Sequence, residues 1–108
     1  MMNVMKTLEL KSALLIAKIE ADKLKDTDDG GTCNFDTPTL KLPSEWTNWM
    51  LDVAFQRTGL SYERVSKETI HILGAVEGQG FRRTAMAEAF RNKLCELGYV
   101  SYVYYQMD

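Results

Sequence analysis

The chain has 108 residues, which is enough for one domain and too few for two. A chain of this length buries roughly 65% of its unfolded surface, so we expect a single hydrophobic core. Hydrophobic residues make up 45% and charged residues 26%, a balance typical of soluble globular proteins and too apolar for a disordered chain. The net charge of −2 argues against a protein that binds nucleic acid generally.

The short apolar runs and the few cysteines and histidines exclude membrane-spanning, secreted and zinc-binding proteins. The aliphatic run at residues 13–17 is far shorter than the ~20 residues of a membrane span. Glu9 and Lys11 interrupt the stretch that a signal peptide keeps apolar, which predicts a cytoplasmic protein. With two cysteines, one histidine and no CxxC pair, the chain cannot build a four-ligand Cys/His zinc site, and we expect neither a metal nor a cofactor.

Residues 7–25 have the apolar spacing of a helix, which the acidic turn at 26–31 ends. One apolar stripe is widened by further apolar positions into a broad arc. The members of the stripe and the arc are Leu8, Leu10, Leu14, Leu15, Ala17, Ile19, Ala21 and Leu24. Such breadth predicts burial against two surfaces, or against one surface and a partner chain.

The middle of the chain predicts a strand followed by a second helix. In residues 32–42 the apolar face switches near Pro38, which indicates a bulge or bend there. Pro43 and Ser44 then open a helix with Ser44 as the N-cap, and Gly59 ends it. Trp46 and Trp49 share a face of this helix, so we expect both to anchor the core.

The second half of the chain predicts a hairpin, a third helix and a last strand. Residues 62–65 and 69–73 are β-prone runs separated by three polar residues. A glycine-rich connection at 74–80 leads into a helix that Gly98 ends, and residues 99–106 read as a strand. The inward-facing residues of this helix are Met86, Phe90, Leu94 and Leu97.

This order predicts a single α+β domain over residues 1–108, with a helix and acidic turn at 1–31 and a core at 32–108. After the first helix, the predicted order is strand, helix, strand, strand, helix and strand, which is the split βαβ order of a ferredoxin-like fold. Such a fold has a four-stranded antiparallel sheet, and here it has an additional N-terminal helix. Right-handed crossovers place the last strand beside the first, with the hairpin on the other side. Two helices then cover one sheet face, and the N-terminal helix covers the other face or pairs with a second subunit.

The predicted topology gathers polar residues at one end of the sheet, where binding groups commonly lie. The first strand begins at this end, the last strand finishes at it, and the third helix starts there. The candidate ligand-binding residues are Asn34, Asp36, Gln79, Arg82, Arg83, Thr84, Gln106 and Asp108.

Arg82 and Arg83 are the most informative of these candidates. A cation in the first turn opposes the helix dipole, whereas two guanidinium groups beside free backbone N–H groups suit a phosphate or carboxylate. Glycines at 78 and 80 would let a ligand approach the backbone. The alternative is structural, because Asp36, Glu77 and Asp108 are placed to form salt bridges with the two arginines.

Three short motifs resemble a family of small proteins from bacteriophages and integrated mobile elements. They are GTCNFD at 31–36, GQG at 78–80 with Arg83 and Thr84, and YYQMD at 104–108. The resemblance covers most of the chain from about residue 30 onward and is weakest over residues 61–76. It implies an accessory protein of a bacterial host's cytoplasm that acts by stoichiometric binding, including sequestration of a nucleotide signal or blockade of a host defence protein.

Three functional hypotheses remain open. The first is a homodimeric, non-enzymatic binding protein that holds an anionic or nucleotide-like ligand at the start of the third helix. The alternative is a protein–protein inhibitor or adaptor that uses the N-terminal helix or the open sheet face. A hydrolase or transferase with Asp36 and Asp108 as paired carboxylates ranks lowest, because the cluster contains no histidine. None of the three requires a membrane or general nucleic-acid binding.

Overall fold

The computed structural model describes residues 2–31 and 33–107, with side chains from residue 4 onward. These ranges contain three helices and four strands. In chain order they are α1 (Met2–Asp22), β1 (Thr37–Lys41), α2 (Asn48–Phe55), β2 (Ser61–Ser66), β3 (Thr69–Leu73), α3 (Gly80–Glu96) and β4 (Val100–Tyr104). Among the described residues, no helix is both long and apolar enough to span a membrane.

The four strands form one antiparallel sheet in the order β2-β3-β1-β4. β1 pairs with β4 from Thr37 to Lys41 and with β3 from Thr39 to Lys41, while β2 and β3 form the hairpin. The α+β class, the antiparallel four-stranded sheet, the hairpin and the neighbouring positions of the first and last strands are therefore confirmed. β2 and β4 are the two edges of the sheet.

The predicted placement of α1 on the sheet face opposite to the other two helices is wrong, whereas its predicted pairing with a second subunit stays a prediction. α3 packs over β4 and β1, and α2 lies on the β2 side, where the Phe55 and Tyr62 rings are 5.2 Å apart. α1 packs against both of these helices, which make little or no contact with each other in the described residues. All three helices therefore cover the same sheet face. Ala17 and Ala21 are fully buried, and their small side chains let α1 approach its neighbours closely.

The core lies between the helices and one sheet face. Leu40, Ile70 and Ile72 point into it from the strands, and Leu14 and Phe90 meet them from α1 and α3. None of the described residues outside the sheet forms a layer over the opposite sheet face, which we call the open face. His71 lies on that open face, as its alternation with Ile70 and Ile72 predicts. The exposed apolar residues of the open face are Val65, Leu73, Val100, Tyr102 and Tyr104.

The predicted bulge at Pro38 is wrong. The pairing of β1 with β4 runs through Pro38 without a register shift, and the irregularity of the sheet lies in β2 between Arg64 and Ser66. Because β1 meets β3 only from Thr39 onward, Pro38 has a strand neighbour on one side alone. This is the edge-like setting in which a strand tolerates proline.

The prediction that two tryptophans anchor the core is right for Trp46 and wrong for Trp49. The helix begins at Asn48, later than predicted, with Thr47 rather than Ser44 as the N-cap, so Trp46 lies outside the helical spacing. Trp46 is buried, whereas Trp49 is 60% exposed. The buried face of α2 consists of Met50, Leu51, Ala54 and Phe55. Leu97, predicted to face inward, is likewise exposed because α3 ends before it.

Candidate functional site

Four of the predicted site residues meet in one cleft of about 390 Å³. Asn34 and Asp36 come from the segment before β1, Thr84 from the first turns of α3, and Gln106 from the tail after β4. Gly80, Phe81, Tyr105 and Met107 complete the lining. Asp108, the eighth predicted residue, lies outside the described residues.

Asp36 is the centre of this cluster. The residue is 4% exposed, and Oδ2 accepts a hydrogen bond of 2.7 Å from the Thr84 hydroxyl. Oδ1 accepts a bond of 3.0 Å from the backbone amide of Gln106. Buried carboxylates require such partners, because an unpaired buried charge is costly. The carboxylate therefore fastens the C-terminal tail to the start of α3.

Asn34 adds a second set of contacts at the same place. Its side-chain amide donates to the Gly80 carbonyl over 3.1 Å and to the Thr84 hydroxyl over 3.2 Å. Its Oδ1 accepts from the Asp36 amide over 3.1 Å, and Asn34 also forms an isolated β-bridge with Met107. The polar groups of the cleft are thus largely hydrogen-bonded to one another.

The two arginines do not converge on this cleft. The Arg82 Nε donates to the Thr27 carbonyl over 2.9 Å, and its Nη1 lies 3.8 Å from Asp29 Oδ2. The Arg83 Nε donates instead to the Asp36 carbonyl over 2.9 Å. Successive helical side chains point about 100° apart, because a helix has 3.6 residues per turn. One guanidinium therefore holds the acidic turn and the other holds the segment before β1.

The start of α3 is already occupied by the chain itself. Asp29 Oδ1 accepts a hydrogen bond of 2.7 Å from the Gln79 amide, and the Gly30 carbonyl accepts one of 2.8 Å from the Phe81 amide. The Gln79 side chain is exposed and makes no capping hydrogen bond. Asp29 thus supplies a carboxylate where the sequence predicts a bound anion.

Gly80 makes this close approach possible. Its φ is +55°, and a Cβ at this position would lie 2.0 Å from the Gly30 carbonyl oxygen. The second glycine of the GQG motif therefore allows two backbone segments to approach each other closely, and not a ligand to approach the backbone. Neither Asp29 nor Gly30 was among the predicted site residues. Their signal was the Asp-Asp-Gly-Gly run at 28–31, a turn with an acidic side chain next to glycines.

The acidic partner of the arginines also differs from the predicted ones. Asp29 pairs with Arg82, whereas neither Asp36 nor Glu77 forms a side-chain ion pair with an arginine in the part of the chain that the structure describes. Burial lowers the pKa of the Arg83 guanidinium, and the negative charge of Asp36 opposes that shift. Arginine stays charged at neutral pH, so Arg83 is a half-buried cation beside a buried carboxylate.

The arrangement fastens segments of the chain together through hydrogen bonds and charge. Residues 2–31 and 33–107 contain no group of three or more His, Cys, Asp or Glu side chains that could hold a metal ion. Cys33, next to the cluster in sequence, is exposed and has a free thiol.

Comparisons of this chain with protein-family models, with curated proteins and with solved structures found no match.

Proposed function

We propose that this protein acts by binding another protein and that the outer face of α1 is its docking surface. The observation that supports this is a second apolar stripe on α1, on the side opposite to the buried one. Its members are between 41% and 61% exposed. They are Val4, Met5, Leu8, Leu15, Ile16 and Ile19. Contiguous exposed apolar surface of this kind marks interaction sites.

The spacing of the stripe favours a helix as the binding partner. Met5, Leu8, Leu15 and Ile19, with Ser12 between them, follow the alternating three- and four-residue spacing of a helix–helix seam. A groove of about 420 Å³ runs beside this stripe and continues the apolar surface to Leu97 and Tyr99. An amphipathic partner helix fits such a stripe and groove, and a second copy of α1 is one such helix.

An anionic ligand at the start of α3 is the second candidate. It would compete with the Asp29 carboxylate for the Gln79 amide and for Arg82. The observation in its favour is that, within the described residues, Arg83 uses its Nε alone for hydrogen bonding. A thermal shift with nucleotides that Arg83→Ala abolishes would support this candidate. No shift at ligand concentrations far above a plausible Kd would exclude it.

The resemblance to phage and mobile-element proteins supports the biological setting of the proposal. In that setting the chain is a non-enzymatic accessory protein of the bacterial cytoplasm, and its partner is a host protein, including one of a defence system. The protein would act stoichiometrically, by covering a surface of that partner.

We also propose that the sheet with α2 and α3 is a ferredoxin-like core. After α1 the elements follow the order β1-α2-β2-β3-α3-β4, and the sheet counted from its β4 edge runs β4-β1-β3-β2. This order supports a ferredoxin-like core. In that fold α1 is an addition, which agrees with its use as a separate docking element.

Charge substitutions on α1 test the docking surface. Leu8→Glu with Ile19→Glu places two carboxylates on the exposed stripe without entering the core, so we expect the melting temperature to stay near that of the wild type. Leu73→Glu, on the open sheet face and 40% exposed, is the matched control. Light scattering measures self-association, and cross-linking in a bacterial lysate followed by mass spectrometry identifies a host partner.

We expect the wild type and Leu73→Glu to share one complex, either a dimer or a defined hetero-complex, that the α1 variant loses. A complex lost in Leu73→Glu and kept in the α1 variant would move the docking surface to the open sheet face. A monomer with no partner that depends on α1 would overturn the proposal.

A further inference from the structure

A second cleft lies between α2 and the start of β2, away from both surfaces described above. Its volume is about 730 Å³. Trp49, Asp52 and Gln56 line it from the helix and its C-terminal end, and Ser61 and Tyr62 line it from the strand. A cleft of this size matches the range of sites that bind small ligands or single side chains.

The aromatic wall of the cleft includes an exposed indole. Trp49 is 60% exposed, whereas Trp46, three residues earlier, is 6% exposed. Tyr62 stands across the cleft and contacts the buried Phe55 ring at a centroid distance of 5.2 Å. Exposed tryptophan is uncommon because its burial is so favourable, and the indole face is the aromatic surface that attracts cations best.

A carboxylate lies beside this aromatic wall. Asp52 is exposed, and its Oδ1 accepts a hydrogen bond of 2.7 Å from the Tyr62 hydroxyl. The same hydroxyl lies 3.3 Å from the Asn48 carbonyl. The hydrogen bond from Tyr62 places the carboxylate beside the aromatic wall. Burial, together with the hydrogen bond to Asp52, raises the pKa of Tyr62 to about 12, so the phenol stays neutral.

Arg64, the arginine of β2, does not pair with the Asp52 carboxylate. Arg64 donates from Nε to Asn48 Oδ1, from Nη1 to the Lys67 carbonyl and from Nη2 to the Trp46 carbonyl, over 2.7–2.9 Å. These contacts hold its guanidinium at the N-terminal end of α2. Among the described residues that line the cleft, Asp52 carries the one formal charge.

We propose that this cleft binds a cationic side chain of a partner, an arginine in particular, stacked on the Trp49 indole with its charge directed to Asp52. A guanidinium suits both elements, because it stacks on aromatic faces and donates to carboxylates. The cleft is built from α2 and β2, so the inference does not depend on the docking surface of α1.

A short arginine peptide tests the inference directly. The probe is acetyl-glycyl-arginyl-glycine amide, and its isosteric control carries citrulline, which keeps the shape and loses the charge. Because Trp46 is buried and Trp49 exposed, the indole resonance of Trp49 and the fluorescence of the chain both report on the cleft. We expect saturable binding of the arginine peptide and at least a five-fold weaker affinity for the citrulline peptide.

Two variants separate the aromatic and the charged contributions. Asp52→Asn keeps an oxygen acceptor for the Tyr62 hydroxyl and removes the charge, so it should weaken arginine binding about five-fold and leave citrulline binding unchanged. Trp49→Leu should weaken both, as measured by isothermal titration calorimetry, because this variant lacks the indole that reports on the cleft. Glu96→Gln, an exposed acid at the far end of α3, is the matched control and should bind like the wild type.

Equal affinities for the arginine and citrulline peptides would overturn the inference. It would also fail if Asp52→Asn bound arginine as tightly as the wild type, or if no saturable change occurred at Trp49. The Leu8→Glu and Ile19→Glu variant should bind the arginine peptide normally. A failure of the α1 proposal and a failure of this one are therefore distinguishable.

Discussion

Asp29 accepts a hydrogen bond of 2.7 Å from the backbone amide of Gln79, 50 positions later in the chain. This bond joins the acidic turn after α1 to the start of α3, and Arg82 reinforces it from the first turn of that helix. Because α1 and α3 also pack along their lengths, the turn closes one end of that helix pair. A carboxylate at a helix start stabilises the helix by interacting with its free N–H groups.

Removing the Asp29 carboxylate should destabilise the fold and vacate an anion site. We expect Asp29→Ala to lower the free energy of unfolding in urea by about 1 kcal/mol, the usual contribution of a capping side chain. Asp28→Ala is the control, because Asp28 bonds only to the nearby Gly30 amide in the described part of the chain. Sulfate should then stabilise Asp29→Ala more than the wild type. Equal stabilisation by sulfate in both proteins would contradict this role of Asp29.

Gly80 should tolerate substitution less well than another glycine of similar conformation. A methyl group at position 80 would lie 2.0 Å from the Gly30 carbonyl oxygen, whereas one at Gly98 would meet no atom within 4 Å. Both residues have positive φ, at 55° and 97°. We expect Gly98→Ala to cost about 1 kcal/mol for its backbone conformation and Gly80→Ala to cost at least about 3 kcal/mol. Similar melting temperatures for the two variants would show that the turn moves away freely.

The strands and helices were predictable because their signals are local. The alternation at 69–73 and the spacing of Met86, Phe90 and Leu94 depend on neighbours within a few residues. The position of α1 was not predictable in this way. Its two apolar stripes are equally consistent with either sheet face, and the choice depends on the space that α2 and α3 leave between them.

In the candidate site, too, some features were predictable from the sequence and others were not. The topology correctly brings Asn34, Asp36, Thr84 and Gln106 together, because strand ends and helix starts meet at one end of the sheet. The directions of Arg82 and Arg83 depend on the acidic turn, whose path no sequence period describes. Trp49 was misplaced for a related reason, since a shift of the helix start to Asn48 changes which residues face the core.

Replacing the buried Asp36 carboxylate should destabilise the fold. Asp36→Ala leaves the Gln106 amide and the Thr84 hydroxyl without their acceptor, so we expect a loss of about 2–3 kcal/mol in the free energy of unfolding. Hydrogen exchange at the Gln106 amide should accelerate strongly, because the tail then opens locally. Glu77→Ala, an exposed acid close to the same helix start, should change stability by less than about 0.5 kcal/mol. Unchanged exchange at Gln106 would contradict the tethering role.

Alkaline pH should weaken the fold through two tyrosines that donate to carboxylates. Burial and the bond to Asp52 raise the pKa of Tyr62 to about 12, and the 2.6 Å bond to Glu88 is the main cause that raises the pKa of Tyr105 to about 12. Both values exceed the ordinary value of 10, so the folded state keeps protons that the unfolded chain loses. The stability from these protons is complete below pH about 10 and is lost as the pH rises from about 10 to about 12.

Urea unfolding across this pH range measures the effect. The variant with Tyr62→Phe and Tyr105→Phe should be less stable than the wild type at neutral pH, because it lacks both hydrogen bonds, and it should lose less stability between pH about 10 and 12. Burial also raises the pKa of Tyr99, near Glu9, so a shallower decline should remain in the double variant. Adding Tyr99→Phe should flatten it further. A decline as steep in the double variant as in the wild type would mean that the alkaline transition comes from other groups.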